Sequence, residues 1–259
     1  MKNMLETLRS YAEAGKYRRV PVSRELYADA FTPVEVMRTL RAASRHCYLL
    51  ESAEDKQRWG RYSFLGYAPT MEITCTDGHV TIAEGAEEED KKRKEFDTDH
   101  PGEVLREILR DYKSPVVEEM PPFTGGLVGY FSYEYIKYAE PSLKGVLEPE
   151  KYRDRQEADQ KTYCQMVEKA REYIRDGDIF QVVLSNPMTA KAKGSLFDTY
   201  RVLRTTNPSP YMFYFSSDDI EVAGASPETL ARLENGRLYT FPLAGTRPGR
   251  KTVGWKRNF

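Results

Sequence analysis

Two dipeptides constrain this chain most. Asp77-Gly78 and Asn235-Gly236 each stand between short apolar runs, and such pairs supply the positive-φ positions of a two-residue hairpin turn, type I′ at Asn235-Gly236. A hairpin joins antiparallel strands, so Met71–Thr76 is expected to pair with His79–Ala83, and Thr229–Leu233 with Leu238–Leu243. Further short apolar runs read as strands at Cys47–Ser52, Arg61–Tyr67, Ile179–Ser185, Tyr211–Phe215 and Ile220–Gly224. Another follows the paired glycines within Gly125–Tyr138.

Helices fall between these runs. Thr32-Pro33-Val34-Glu35 places a capping Thr, a Pro at the first helical position and a Glu at N3. Val36, Leu40 and Ala43 then share one face. A second helix spans about Pro101 to Asp111, with Val104, Leu105, Ile108 and Leu109 inward. A third covers 161–175, where Tyr163, Val167, Ala170 and Ile174 recur at helical spacing before Gly177 ends it. A fourth covers 195–205. Runs of strands with helices set between them, and no regular βαβ alternation, indicate an α+β fold built on antiparallel sheet.

Composition narrows the function classes. Hydrophobic residues are 40% of the 259, enough for a sizeable core, which excludes a disordered chain. Thirty-nine Lys and Arg against 40 Asp and Glu leave a net charge of −1, without the basic excess of a nucleic-acid binder. No apolar run approaches the roughly 20 residues of a membrane span, and the charged N-terminus has no secretory h-region. The widely spaced Cys47, Cys75 and Cys164 read as buried, reduced thiols of a cytoplasmic protein. The charged run 84–99 reads as a solvated loop. The polar stretch 139–160 reads as a boundary, giving regions 1–150 and 151–259.

Chemistry-bearing residues are few. Gln181 puts an amide in an apolar strand, where it needs a partner, either a structural one or a ligand. Ala244-Gly245-Thr246-Arg247 ends a strand in a Gly-Thr turn able to approach an anion closely, with Arg247 as a bidentate donor for a carboxylate. Glu228, behind Ser226-Pro227, reads as a solvated loop carboxylate. His46, His79 and His100 are scattered, and no nucleophile elbow, phosphate loop or zinc helix is present. The residues alone name no reaction.

Seven strings, taken in order, add a resemblance: LLES (49–52), RYSFLG (61–66), GGLVGYFSYEYIKY (125–138), GDIFQVVLS (177–185), NPSPYMF (207–213), GASPE (224–228) and PLAGTRP (242–248). Together they resemble anthranilate synthase component I, of the chorismate-utilising enzymes. The resemblance implies that family's antiparallel-sheet-rich fold of two large sheets with flanking helices, incomplete here. It also implies conversion of chorismate to anthranilate with Mg2+, ammonia from a glutamine amidotransferase subunit, and feedback inhibition by L-tryptophan. Gln181 stands where isochorismate-forming relatives carry a Lys base. Ala244 stands where aminodeoxychorismate synthases carry a Lys nucleophile. Both choices favour anthranilate formation over those sister reactions. Carried over, Gln181 shapes the site near ammonia, and Ala244, Gly245 and Thr246 contact the substrate. Glu51 and Ser52 meet the inhibitor's ammonium end. Pro210, Tyr211 and Met212 line its pocket, with plain strand core the alternative for the last two.

Two departures from the family go with this. After PLAGTRP the chain reads GRKTVGWKRNF, as a reading-frame shift would, without the segments bearing the metal carboxylates and catalytic His. Only a short stretch separates Leu143 from Lys161, where the family has further strands. The expectation is a truncated chain that does not turn over chorismate alone, with a non-catalytic tryptophan- or partner-binding module as the alternative.

Overall fold

The computed structural model describes residues 6, 9–11, 15–52, 62–85, 90–117, 120–121, 123–143, 158–186, 188–234 and 236–243. Contacts cluster into two compact units that interleave along the chain. One holds 1–23, 70–120 and 124–194. The other holds 24–69, 121–123 and 195–259. These units are defined by contacts, whereas the regions 1–150 and 151–259 are read from the order of motifs along the chain. The architecture is α+β with antiparallel sheets.

In the second unit, α1 (Pro33–Ala43) precedes β1 (Cys47–Glu51) and β2 (Phe64–Tyr67). The Thr32 hydroxyl accepts from the Glu35 N–H at 3.2 Å, so the expected cap forms. The inward face differs from expectation. Met37 is buried, whereas Val36 and Ala43 are exposed. The cause is Arg41, whose guanidinium lies 5.0 Å over the Phe197 ring and 5.3 Å over the Tyr214 ring. A cation therefore occupies the buried stripe, which an apolar pattern cannot anticipate.

After a long excursion through the other unit the chain returns as α5 (Leu196–Thr206), β6 (Tyr211–Ser216) and β7 (Glu221–Ser226). Strand order is β2-β1-β6-β7, with every neighbouring pair antiparallel. Met37, Phe197 and Tyr200 of the helices pack against Cys47, Leu49, Met212 and Tyr214 of the sheet. Phe197 meets Tyr214 edge-on at 5.0 Å. Burying each such side chain contributes about 1.5–3 kcal/mol, so this cluster holds the unit together. On the opposite face, Tyr48 lies over Gly66 and Phe213 over Gly224; a Cβ on either glycine would sit 2.3 Å from the ring. The β8 (Thr229–Glu234) and β9 (Arg237–Phe241) hairpin forms a separate two-stranded sheet. Glu234 pairs with Arg237 and Gly236 has φ +75°, while Asn235 lies outside the described residues.

In the first unit, β3 (Met71–Thr76), β4 (His79–Glu84) and β5 (Lys92–Asp97) form an antiparallel sheet. Asp77 and Gly78 have φ of 51° and 89°, as the hairpin requires. Strand β5 corrects the reading of 84–99 as loop. Its charges suit an outer strand, where they discourage further pairing, and Phe96 opposite Val80 supplies the apolar contact. Then come α2 (Pro101–Asp111), α3 (Ile136–Ala139) and α4 (Gln160–Asp176). The apolar strand expected within Gly125–Tyr138 is absent: a 3-10 turn at Tyr133–Tyr135 leads into α3. In α4, Asp159 caps the start and Gly177, φ +84°, ends it.

Ile179–Ser185 is a further correction. It pairs with no strand among the described residues, and Phe180 is fully exposed. An apolar run becomes a strand only when a neighbour supplies its backbone hydrogen bonds. Two of the three thiols also differ from expectation, since only Cys47 is buried. No helix among the described residues is long and apolar enough to cross a membrane.

Candidate functional site

Glu51 ends β1 in phase with Cys47 and Leu49, so it faces the helices rather than solvent. Its side chain is only 8% exposed. A carboxylate so placed needs donors, and it has four. Arg204 grips it as a fork, Nε to Oε2 at 2.8 Å and Nη2 to Oε1 at 2.9 Å. The Tyr200 hydroxyl donates to Oε2 at 2.7 Å and Ser63 Oγ to Oε1 at 3.0 Å. Tyr200 and Arg204 are one helical turn apart on α5, which is why both reach one carboxylate. Burial pushes the Tyr200 phenol far above its usual range, and its hydrogen bond to Glu51 adds to that.

The register places Glu51 directly opposite Met212. Residues that the sequence analysis joined across 160 positions are thus neighbours on two adjacent strands. The five carried-over residues do not all share one surface, however. Met212 is buried with Tyr214 on the helix face, whereas Tyr211, the next residue back along β6, points to the other face. The Tyr211 hydroxyl is 2.7 Å from Thr229 Oγ1. Pro210 is half-buried just before the strand, and Ser52 is half-buried just after β1.

A second carboxylate anchors the start of α5. Glu221 accepts from Ser195 Oγ, from the Tyr214 hydroxyl and from the Leu196 N–H at 3.1 Å, and pairs with Arg41 at 3.2 Å. Burial alone would raise its pKa; the donors and the cation outweigh it and hold the carboxyl below its ordinary value. The Tyr214 phenol rises to about 12, through burial first and then its bond to Glu221.

The expected chorismate contacts fare differently. Gln181 lies in the first unit, exposed in the extended segment. Ala244, Gly245 and Thr246, with Arg247, lie outside the described residues. Glu228 accepts from the Leu243 N–H at 3.3 Å, so the turn carboxylate holds the backbone just ahead of that Gly-Thr segment. Sequence reasoning missed Arg204, Tyr200, Arg41 and Glu221. One signal was available: an acid in phase with buried apolar residues of a strand demands a cation from somewhere in the fold.

Residues 141–255 match the family model for chorismate binding enzyme. The chain is 31% identical to anthranilate synthase component 1 of Aquifex aeolicus, over 96% of this chain and 63% of that protein. It is 33% identical to the same component of Methanothermobacter thermautotrophicus, over 85% and 55%, and 30% identical to that of Pseudomonas aeruginosa, over 95% and 63%. By sequence, the chain carries a segment of the chorismate-binding enzyme type over residues 141–255. It is anthranilate synthase component 1 that the chain resembles over most of its length. The chain spans roughly three fifths of the length of these relatives. The Aquifex alignment runs over 319 positions against the chain's 259 residues, so the aligned part of that relative holds stretches with no counterpart here.

Proposed function

We propose that this chain is the regulatory and substrate-contacting portion of an anthranilate synthase component I. The reaction joins chorismate and ammonia to give anthranilate, pyruvate and water, with ammonia supplied from glutamine by an amidotransferase subunit. The observation that carries this reading is similarity to component 1 proteins along nearly the whole chain. Two residues favour it over sister reactions. Gln181 is a neutral amide, unable to act as the base that a water nucleophile needs. Ala244 leaves no amine to act as a nucleophile.

Among the described residues, no three His, Cys, Asp or Glu side chains gather where a metal ion could be held. They do not fit the Mg2+ that the family resemblance implies, so no step is derived through that ion. We assign this chain a tryptophan site at the Glu51 end of β1, beside β6, on the resemblance carried by Glu51, Ser52, Pro210, Tyr211 and Met212. We expect no chorismate turnover by the chain alone. A non-catalytic tryptophan-binding module is the second reading, favoured by β1 and β6 forming one sheet within a single unit.

The test pairs calorimetric titration with L-tryptophan and a fluorescence assay for anthranilate in the presence of chorismate, ammonium and Mg2+. Saturable tryptophan binding that Ser52→Ala weakens, without anthranilate formation, is the expected result. A folded chain that binds no tryptophan overturns the regulatory assignment, and steady anthranilate formation overturns the expectation of inactivity.

A further inference from the structure

Glu51 is assigned to an amino acid's ammonium group, yet its carboxylate already has four donors. Arg204 occupies both oxygens, while Tyr200 and Ser63 take one each. An ammonium group can reach it only by replacing one of these donors. The surroundings decide which. Tyr200 is completely buried in the core cluster, so its hydroxyl cannot withdraw without opening the unit. Ser63 is neutral, and losing it would leave a second cation crowded against Arg204. The Arg204 side chain is 36% exposed and can swing its guanidinium into water while keeping its stem on α5.

We propose that Arg204 is a built-in competitor for the ligand's ammonium: it closes the Glu51 site in the free protein, and an amino acid binds by exchanging its own cation for the guanidinium. The proposal rests on the tryptophan-site reading above and deepens it. The exchange conserves charge at a buried carboxylate, which is why it is feasible. Leaving Glu51 with no cation would carry a heavy desolvation cost, so a ligand lacking a positive charge cannot drive it.

The exchange also has a path outward. Arg204 stands in the last turn of α5, and the chain runs from there through Asn207–Pro210 directly into Tyr211 and Met212. The other end of α5 stays fastened by Glu221 through Ser195 and the Leu196 N–H. Releasing Arg204 therefore frees the end of the helix that feeds β6, and leaves its beginning in place.

The 259-residue chain, Arg204→Gln and Arg204→Lys are titrated at pH 8 with L-tryptophan and with N-acetyl-L-tryptophan. The acetylated probe keeps the indole and carboxylate and lacks the ammonium. Removing the competing fork should tighten L-tryptophan binding about ten-fold in R204Q, the loss of roughly one charge-assisted hydrogen bond of competition. The lysine variant should fall between R204Q and wild type, and no variant should bind the acetylated probe. Unchanged or weaker tryptophan binding by R204Q overturns the exchange and leaves the tryptophan reading standing. Equal binding of the acetylated probe does the same. Absence of tryptophan binding in all three proteins overturns the tryptophan reading and the exchange with it. If circular dichroism shows R204Q unfolded, R204K decides: tighter binding than wild type supports the exchange, and equal or weaker binding overturns it.

Discussion

Glu221 is the most informative position to perturb, because one carboxylate joins α1, α5, β6 and β7. Glu221→Gln keeps the size and removes the charge. It strips the counter-ion from Arg41, whose side chain is 27% exposed, as is that of Glu221. It also weakens the bonds from Ser195, Tyr214 and the Leu196 N–H. A fully buried pair broken on one side costs about 3–5 kcal/mol, and an exposed pair about 0–1. At this intermediate burial, about 2 kcal/mol is expected at neutral pH, a Tm loss of about 4–8 °C for a chain of this size. The pH dependence has a definite sign. The folded-state pKa of Glu221 is depressed below the ordinary 4.5. Its contribution is therefore full above that value and is lost as pH falls through the folded pKa. The gap between wild type and E221Q should be widest near pH 7 and shrink toward pH 3. Thermal melts by circular dichroism across that range measure it. A variant as stable as wild type at pH 7, or a gap that does not change with pH, would refute the anchoring role.

Two further measurements probe the same unit. Leu49→Ala removes a fully buried side chain from the middle of β1 and should cost about 2–5 kcal/mol, read as a lower urea midpoint; a loss under about 1 kcal/mol would mean the cluster is not the core. Burial pushes the Cys47 thiol up to about 11, against the lowering effect of Arg41, while Cys75 and Cys164 are exposed. An aromatic disulfide reagent at pH 8 should therefore titrate two thiols rapidly and the third only in denaturant, and three rapid thiols would contradict the burial of β1.

Local chemistry was legible in the chain itself. Asp77-Gly78 specifies its hairpin because those residues tolerate positive φ. Thr32 with Pro33, and Gly177, start and stop their helices because capping needs only neighbours along the chain. The resemblance to component 1 was equally a property of residue order, and it singled out Glu51 and Met212 as belonging together. It did not show how they meet.

What only the tertiary structure decided are the matters in which distant residues compete. Lys92–Asp97 becomes a strand because β4 offers it a ladder. Ile179–Ser185, far more apolar, does not, because no described strand stands beside it. Met37 turns inward in place of Val36 because Arg41 has rings to lie on and Glu221 to bind. Glu51 is filled by an arginine 153 residues away, a pairing that no local pattern encodes. Periodicity and capping depend on a few neighbouring residues and survive in the sequence alone. Strand pairing and the neutralisation of a buried charge depend on which distant groups the fold brings to the same place, and only the folded chain settles that.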